Sequence, residues 1–64
     1  MIDIRIHDDG TVVGFTPLTD AARDWIDENV ESESWQWLGE TLFVDHRMAR
    51  PLAHGMAADG LEIG

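Results

Sequence analysis

The absence of cysteine from a chain of only 64 residues is the feature that most constrains its fold. A domain of this size buries only about 60% of the surface that its unfolded chain exposes, so its stability is expected to be modest. Small secreted proteins often compensate with disulfides or thiolate-bound metals, and neither is possible here. We therefore expect one domain over residues 1–64 that depends on an apolar core, as a monomer or a homodimer.

The N-terminal residues predict a β-hairpin. Apolar and polar residues alternate over Ile2–His7, which predicts a strand whose three isoleucines point inward. An Asp-Asp-Gly turn signal follows, and Thr11–Phe15 predicts the second strand.

A helix is predicted next, with Thr16 or Thr19 as the N-cap and an end near Val30. Its apolar residues recur at helical spacing and predict one buried stripe, in which a tryptophan belongs to the core. The members of this stripe are Leu18, Ala22, Trp25, Ile26 and Val30.

The C-terminal half predicts a strand, a helix and a final short strand. Trp35–Val44 is rich in aromatic and β-branched residues, with Gly39 as a bulge or turn within it, and Leu42–Val44 is expected to be a central strand. A second helix follows Asp45, and Pro51 is expected near its first turn because proline deeper in a helix removes a hydrogen bond. Gly60 suits the position after the helix, and Leu61–Ile63 can add a strand. The pattern is ββαβαβ, an α+β fold with two helices on one face of a small sheet.

The charge of the chain is strongly negative. Thirteen Asp and Glu oppose four Arg, with no Lys, and the formal net charge is −9. Binding to nucleic acid or to an anionic membrane is disfavoured, and a basic partner is favoured. The alternative is that the acidity serves solubility or salt adaptation, or reflects a GC-rich genome. Without a signal peptide or a long apolar run, we expect a soluble protein in the cytoplasm.

Acidic residues of the first helix form a stripe opposite the apolar one. Like charges one turn apart repel and cost a helix about 0.2–0.5 kcal/mol per pair, so the arrangement opposes folding. A row of carboxylates about 6 Å apart can instead imitate a phosphate backbone. The alternative is that an amphipathic helix of any acidic protein exposes its acids. The predicted binding residues are Asp20, Asp24, Asp27, Glu28 and Glu31, supported by Asp8, Asp9 and Glu33, and Glu40 could widen the patch.

Two tryptophans form a second group of interest. Trp35 and Trp37 would share one face of a strand and bury it against the first helix. Core packing is expected for one of them. If the other is exposed, it becomes a candidate anchor for a partner, because tryptophan is enriched in binding hot spots.

Nothing in the sequence predicts catalysis or a cofactor. There is no nucleophile elbow and no glycine-rich phosphate loop. His46 and His54 are too far apart along a helix to share a metal ion, and His7 lies on the hairpin. We expect neither catalytic residues nor a metal site; a small enzyme remains an alternative that would require a pocket.

Three segments, Thr16–Val30, Leu42–Arg47 and Ala57–Ile63, resemble a group of very small acidic proteins that are widespread in bacteria and their prophages. The shared motifs are structural, so the resemblance implies no catalytic residues. In length and acidity the chain also resembles phage anti-CRISPR proteins, including inhibitors of type I-C systems, some of which mimic DNA. This resemblance implies a phage- or mobile-element-encoded inhibitor that blocks a basic nucleic-acid-binding protein, such as a CRISPR surveillance subunit. A housekeeping homodimer that uses a patch around Trp35 or Trp37 is the alternative.

Overall fold

The computed structural model describes residues 1–64 and has an α+β fold, as predicted. A four-stranded antiparallel sheet has the strand order β1-β2-β4-β3. The elements are β1 (Ile4–Asp8), β2 (Val12–Pro17), α1 (Asp20–Asn29), a 3-10 turn (Ser34–Gln36), β3 (Trp37–Leu38), β4 (Thr41–Asp45) and α2 (His46–Ala58).

Both helices pack on one face of this sheet, as the sequence predicts. The strand register brings Phe15 of β2 opposite Ile6 of β1 and Leu42 of β4, so the apolar residues of three strands share a face. The core on this face consists of eight buried side chains from strands and helices: Ile4, Val13, Phe15, Ala22, Ile26, Leu42, Val44 and Met56. The opposite face has no helix over it, and there the hydroxyls of Thr16 and Thr41 lie 2.7 Å apart.

The first hairpin is shifted from its predicted bounds. Ile4 is fully buried and Ile6 is half-buried, but Ile2 precedes β1 and is exposed, so the prediction that all three isoleucines point inward is wrong. The second strand continues to Pro17, which pairs only with β1. Proline is tolerated at this position because no strand on its other side requires its missing N–H.

Local capping chemistry defines the start of α1. The hydroxyl of Thr19 accepts a hydrogen bond from the Ala22 N–H at 3.2 Å, which confirms Thr19 as the N-cap. Ala22 and Ile26 are buried against the sheet, whereas Leu18 precedes the helix and is exposed. The helix ends at Asn29, so Glu31 lies beyond it.

Two strands lie between the helices where one strand was predicted, and they are joined by a turn at Gly39, which is one of the two roles predicted for this glycine. β3 and β4 are joined by Gly39 and Glu40, and Gly39 has a φ of 61°, which glycine adopts without the steric cost of a side chain. β4 lies between β2 and β3, which confirms a central strand over Leu42–Val44. Trp35 lies in the 3-10 turn, so it does not share a strand with Trp37.

The position of Pro51 differs from the prediction. Asp45 caps α2 by accepting a hydrogen bond from the Arg47 N–H at 2.9 Å, and the helix begins directly after β4 at His46. Pro51 is consequently inside the helix and not in its first turn. Burial of Met56 in the core lets the helix continue despite the lost backbone hydrogen bond.

The end of α2 follows its sequence signal. Gly60 has a φ of 91°, and its N–H donates to the Ala57 carbonyl at 3.1 Å, while the Leu61 N–H donates to the Met56 carbonyl at 3.0 Å. These two bonds form a Schellman motif, which confirms Gly60 as the residue after the helix. The predicted final strand is reduced to one parallel bridge between Ile63 and Ile4.

The Asp3 carboxylate fastens the C-terminal segment to the start of α1. Its oxygens accept hydrogen bonds from the Thr19 hydroxyl at 2.9 Å and from the Glu62 N–H at 2.8 Å. The Glu62 bond, followed by the Thr19 bond, lowers the pKa of Asp3 below its ordinary value of 3.8, because both donors favour the ionised carboxylate.

Replacing this carboxylate should weaken the acid sensitivity of folding. Because the folded-state pKa of Asp3 is lowered, its stabilising effect is present above its unfolded pKa and is lost as the pH falls through the folded value. Asp3→Asn should therefore be less stable than the wild type near neutral pH and should lose less stability between about pH 5 and pH 2. Urea unfolding at several pH values measures this. Asp24→Asn, at an exposed carboxylate without a hydrogen bond, is the control, and an equal effect of both variants would contradict the role of Asp3.

Candidate partner-binding surface

Four carboxylates of α1 form an exposed acidic row. We call Asp20, Asp24, Asp27 and Glu28 the acidic helix face, since they lie opposite the buried Ala22 and Ile26. None of the four takes part in an ion pair or a side-chain hydrogen bond. They are therefore fully available to a cationic partner.

The single cation of α1 does not neutralise this row. The guanidinium of Arg23 is directed to Glu40, with 3.9 Å between the nearest nitrogen and oxygen. The last turn of α1 holds no basic residue, although positive charge would be favourable there. Asp27 and Glu28 instead place negative charge near the negative end of the helix dipole, so the arrangement does not favour helix stability.

The predicted five-residue stripe is wrong at its C-terminal end. Glu31 is not part of the helical row, because Val30 already has extended backbone angles. Its position instead contributes to a cleft beside the helix. Glu33 is exposed just before the 3-10 turn, where its main-chain N–H donates to the Gln36 side-chain carbonyl at 2.8 Å.

Asp8 and Asp9 have local structural roles at the tip of the first hairpin. An oxygen of Asp8 accepts a hydrogen bond from the Gly10 N–H at 2.8 Å. An oxygen of Asp9 lies 2.8 Å from Nε2 of His7, which forms an ion pair when the imidazole is protonated. Both carboxylates are exposed, but their contacts distinguish them from the unpaired carboxylates of α1.

A largely apolar cleft of about 830 Å³ lies at the C-terminal end of α1. It brings the end of α1, the 3-10 turn, β3, the end of β4 and the start of α2 around one space, together with Val12 at the start of β2. The acidic residues in its lining are Glu31 and Asp45. We call this space the apolar cleft; its apolar lining is Val12, Val30, Trp35, Trp37, Leu38, Phe43, Val44, Met48 and Leu52.

The three tryptophans have different environments. Trp25 is only half-buried, and its indole N–H donates to Asp59 at 2.6 Å. Its ring packs closely on Gly55 of α2, where a Cβ atom added to the glycine would lie only 3.1 Å from the ring. Trp37 packs against the core and donates to the Ser32 hydroxyl at 3.1 Å. Trp35 is 80% exposed, and its indole N–H has no partner. One tryptophan of the predicted pair is thus packed and the other is exposed.

The basic side chains lie mainly on α2. The Asp45 carboxylate accepts hydrogen bonds from Nε of Arg47 at 3.1 Å and from the Arg47 main-chain N–H at 2.9 Å. These two bonds lower the pKa of Asp45, because they favour the ionised carboxylate. His46 and His54 are exposed on the same helix, and no group of three His, Asp or Glu side chains converges around a space for a metal ion. The acidic and basic side chains therefore dominate different helices.

Sequence reasoning did not anticipate the cleft. Leu38 and Met48 are 74% and 54% exposed at its rim, although Met48 is related by helical spacing to the buried Met56. Phe43 is half-buried on the sheet face without helices. The only signal in the sequence that pointed to this region was the pair Trp35 and Trp37, one of which was expected to be a candidate anchor if exposed.

Compared with protein-family models, curated proteins and solved structures, the chain gives no match in any of the three. The resemblance to small prophage proteins and to anti-CRISPR proteins therefore stays a prediction. Neither helix has the length and apolar character that would let it cross a bilayer.

Proposed function

We propose that the protein is an inhibitor that occupies the basic nucleic-acid-binding site of another protein by imitating a phosphate backbone. The observation that carries this proposal is the acidic helix face, whose four carboxylates are exposed and unpaired. From Asp20 to Glu28 they span about 12 Å of helix axis, which is roughly one charge per 4 Å. A nucleic-acid strand carries one phosphate per about 3.4 Å, so the charge densities are comparable.

The energetic cost of the acidic helix face also supports a binding role. Asp20 and Asp24, and Asp24 and Glu28, are like-charged pairs one turn apart, and each opposes the helix by about 0.2–0.5 kcal/mol. A chain of this size has little stability to lose. The acidic helix face lowers the stability of the helix and has no ion pair within the chain, so its charges are better explained by binding to a cationic partner than by a role in folding.

Electrostatic competition is the proposed mechanism. A net charge of −9 would steer the protein towards a basic site and raise the association rate. Added salt would weaken the complex, since charges more than about 8–10 Å apart are screened at physiological ionic strength. No bond is made or broken in this mechanism, and the protein would not be an enzyme.

The first target to test is a type I-C CRISPR surveillance complex. This choice rests on the resemblance in length and acidity to anti-CRISPR proteins, which implies a phage or mobile-element origin and action in the host cytoplasm. The acidic helix face would occupy the site for target DNA, with Asp8, Asp9, Glu31 and Glu33 as supporting charge.

Competition with DNA tests the proposal. The purified protein is expected to bind the surveillance complex, to be displaced by target duplex DNA, and to bind more weakly as salt is raised from about 50 to 200 mM. Surface plasmon resonance with the complex immobilised measures all three effects. Binding that neither DNA nor salt reduces would contradict mimicry, and no binding at any salt would remove this complex as the target.

A homodimeric interaction module is the second candidate, and the exposed residues of the apolar cleft favour it. Leu38 and Met48 lie beside Trp35 in the same lining, and two copies could cover them mutually. Sedimentation equilibrium at low and high salt distinguishes the two functions. Self-association that does not depend on salt, without affinity for basic proteins, would favour the homodimer.

A further inference from the structure

Three large hydrophobic side chains that line the apolar cleft are exposed to solvent. Trp35 is 80% exposed, Leu38 is 74% exposed and Met48 is 54% exposed, and all three line the same space. Clustered exposed apolar side chains around a concavity are typical of a site for another molecule.

Trp35 is the side chain best placed to contact an occupant. Trp25 and Trp37 each donate their indole N–H within the chain, but Trp35 does not. Its ring could cover a large apolar area in a complex, and tryptophan is enriched among the residues that contribute most to binding.

The charges around the cleft distinguish between two kinds of occupant. Glu31 is in the lining and has no ion pair, whereas Asp45 is in the lining but is paired with Arg47. Glu28 of the acidic helix face directly precedes Asn29, which also lines the cleft. A second copy would bring another net charge of −9 to this rim, and like charges across an interface are unfavourable. A segment that carries both positive charge and an apolar side chain matches the cleft and its rim together.

The required size of an interface leads to the same occupant. A stable interface covers about 800 Å² on each partner, which is a large share of a total surface of 4363 Å². One ten-residue helix offers only part of that area. An interface that begins on the acidic helix face must extend to neighbouring surface, and the apolar cleft adjoins the end of that helix.

We propose that the apolar cleft receives a large aliphatic side chain of the basic partner, from a segment in which arginine or lysine flanks that side chain. This inference rests on the proposed function, because it assigns to the same partner an apolar anchor beside its basic site. The acidic helix face would supply steering and salt dependence, whereas the cleft would slow dissociation.

Short synthetic peptides test the anchor without requiring the natural partner. The probe has one leucine flanked on each side by arginines; in one control serine replaces the leucine, and in the other glutamine replaces the arginines. Two-dimensional NMR follows the Trp35 indole N–H and the Met48 methyl for the cleft, and the amides of Asp24 and Glu28 for the helix.

The leucine peptide should shift the signals of both regions, and the serine peptide only those of the helix. Loss of the leucine should weaken binding about tenfold, as expected for part of the burial of one leucine side chain. Trp35→Ser should cause a similar loss for the leucine peptide and none for the serine peptide. Leu18→Ser is the matched control, since Leu18 is also exposed but lies outside the cleft, and it should change neither affinity.

The signals separate failure of the anchor from failure of the proposed function. Helix shifts without cleft shifts would overturn the anchor and leave the acidic helix face in place. If the leucine peptide and the control with glutamine in place of its arginines bind equally well, the occupant need not be basic, and the proposed function loses support as well. Cleft signals that move with protein concentration alone would assign the cleft to a second copy.

Discussion

Reversal of Asp24, Asp27 and Glu28 to lysine is expected to abolish binding to a basic partner. Each substitution raises the net charge by two, so the three together change it from −9 to −3, and all three act on one face of α1. Loss of electrostatic steering alone should reduce the association rate by about 10- to 1000-fold at low salt. Stopped-flow or surface plasmon resonance kinetics measure this rate, and an unchanged affinity would disprove mimicry through this face.

The same triple variant should fold at least as stably as the wild type. The lysine that replaces Asp24 would follow Asp20 by one turn in the favourable acid-to-base order. The lysines that replace Asp27 and Glu28 would place positive charge near the end of α1, where it interacts well with the helix dipole. Repulsion between the new lysines, and between Arg23 and the lysine that replaces Asp27, offsets part of this gain, so the free energy of unfolding should rise by at most about 0.5 kcal/mol. A higher urea midpoint combined with lost binding would show that the acidic face serves binding at the expense of stability.

A matched pair of single variants separates the position of a charge from its magnitude. Asp24→Lys changes the acidic helix face, and Glu62→Lys changes the net charge equally near the C-terminus, where Glu62 pairs only with the exposed N-terminal amine. Only Asp24→Lys should reduce the association rate strongly. Equal losses in both would mean that the overall charge matters and that the row on α1 has no special role.

Those features that depend on a few neighbouring residues could be predicted from the sequence. The Thr19 cap, the glycine after α2 and the opposed apolar and acidic stripes of α1 each arise from contacts within one or two turns. Four of the five predicted helical acids consequently lie on one exposed face. The fifth, Glu31, was placed wrongly because the helix ends at Asn29, and the position of a helix end is among the least certain features of a sequence.

Features that depend on long-range packing could not be predicted. Pro51 was assigned to a helix start from local rules, but the cap at Asp45 and the burial of Met56 stabilise a longer helix around it. Met48 is related by helical spacing to the buried Met56, yet it is 54% exposed at the rim of the apolar cleft. That cleft is formed by residues from several elements, which a pattern within one helix does not reveal.

The sheet has one covered and one open face, and this difference should be measurable in its two phenylalanines. Phe15 is completely buried at the centre of β2, where it pairs with Ile6 and Leu42, and Phe43 is half-buried on the face without helices. Phe15→Ala should cost about 3–5 kcal/mol. A 64-residue domain has only about 3–10 kcal/mol of stability in total, so this variant should lose roughly a third or more of that stability and unfold at a much lower urea concentration.

Phe43→Ala is the matched control on the open face. It removes the same side chain from a neighbouring strand of the same sheet, but part of the ring is already in water, so its cost should be clearly smaller. Urea unfolding followed by circular dichroism compares the two variants at several protein concentrations. If Phe43→Ala were as damaging as Phe15→Ala, and more so in concentrated samples, the open face would be covered by a second copy in solution. The cleft that includes Phe43 would then be part of a homodimer interface, and the basic partner would have only the acidic helix face to bind.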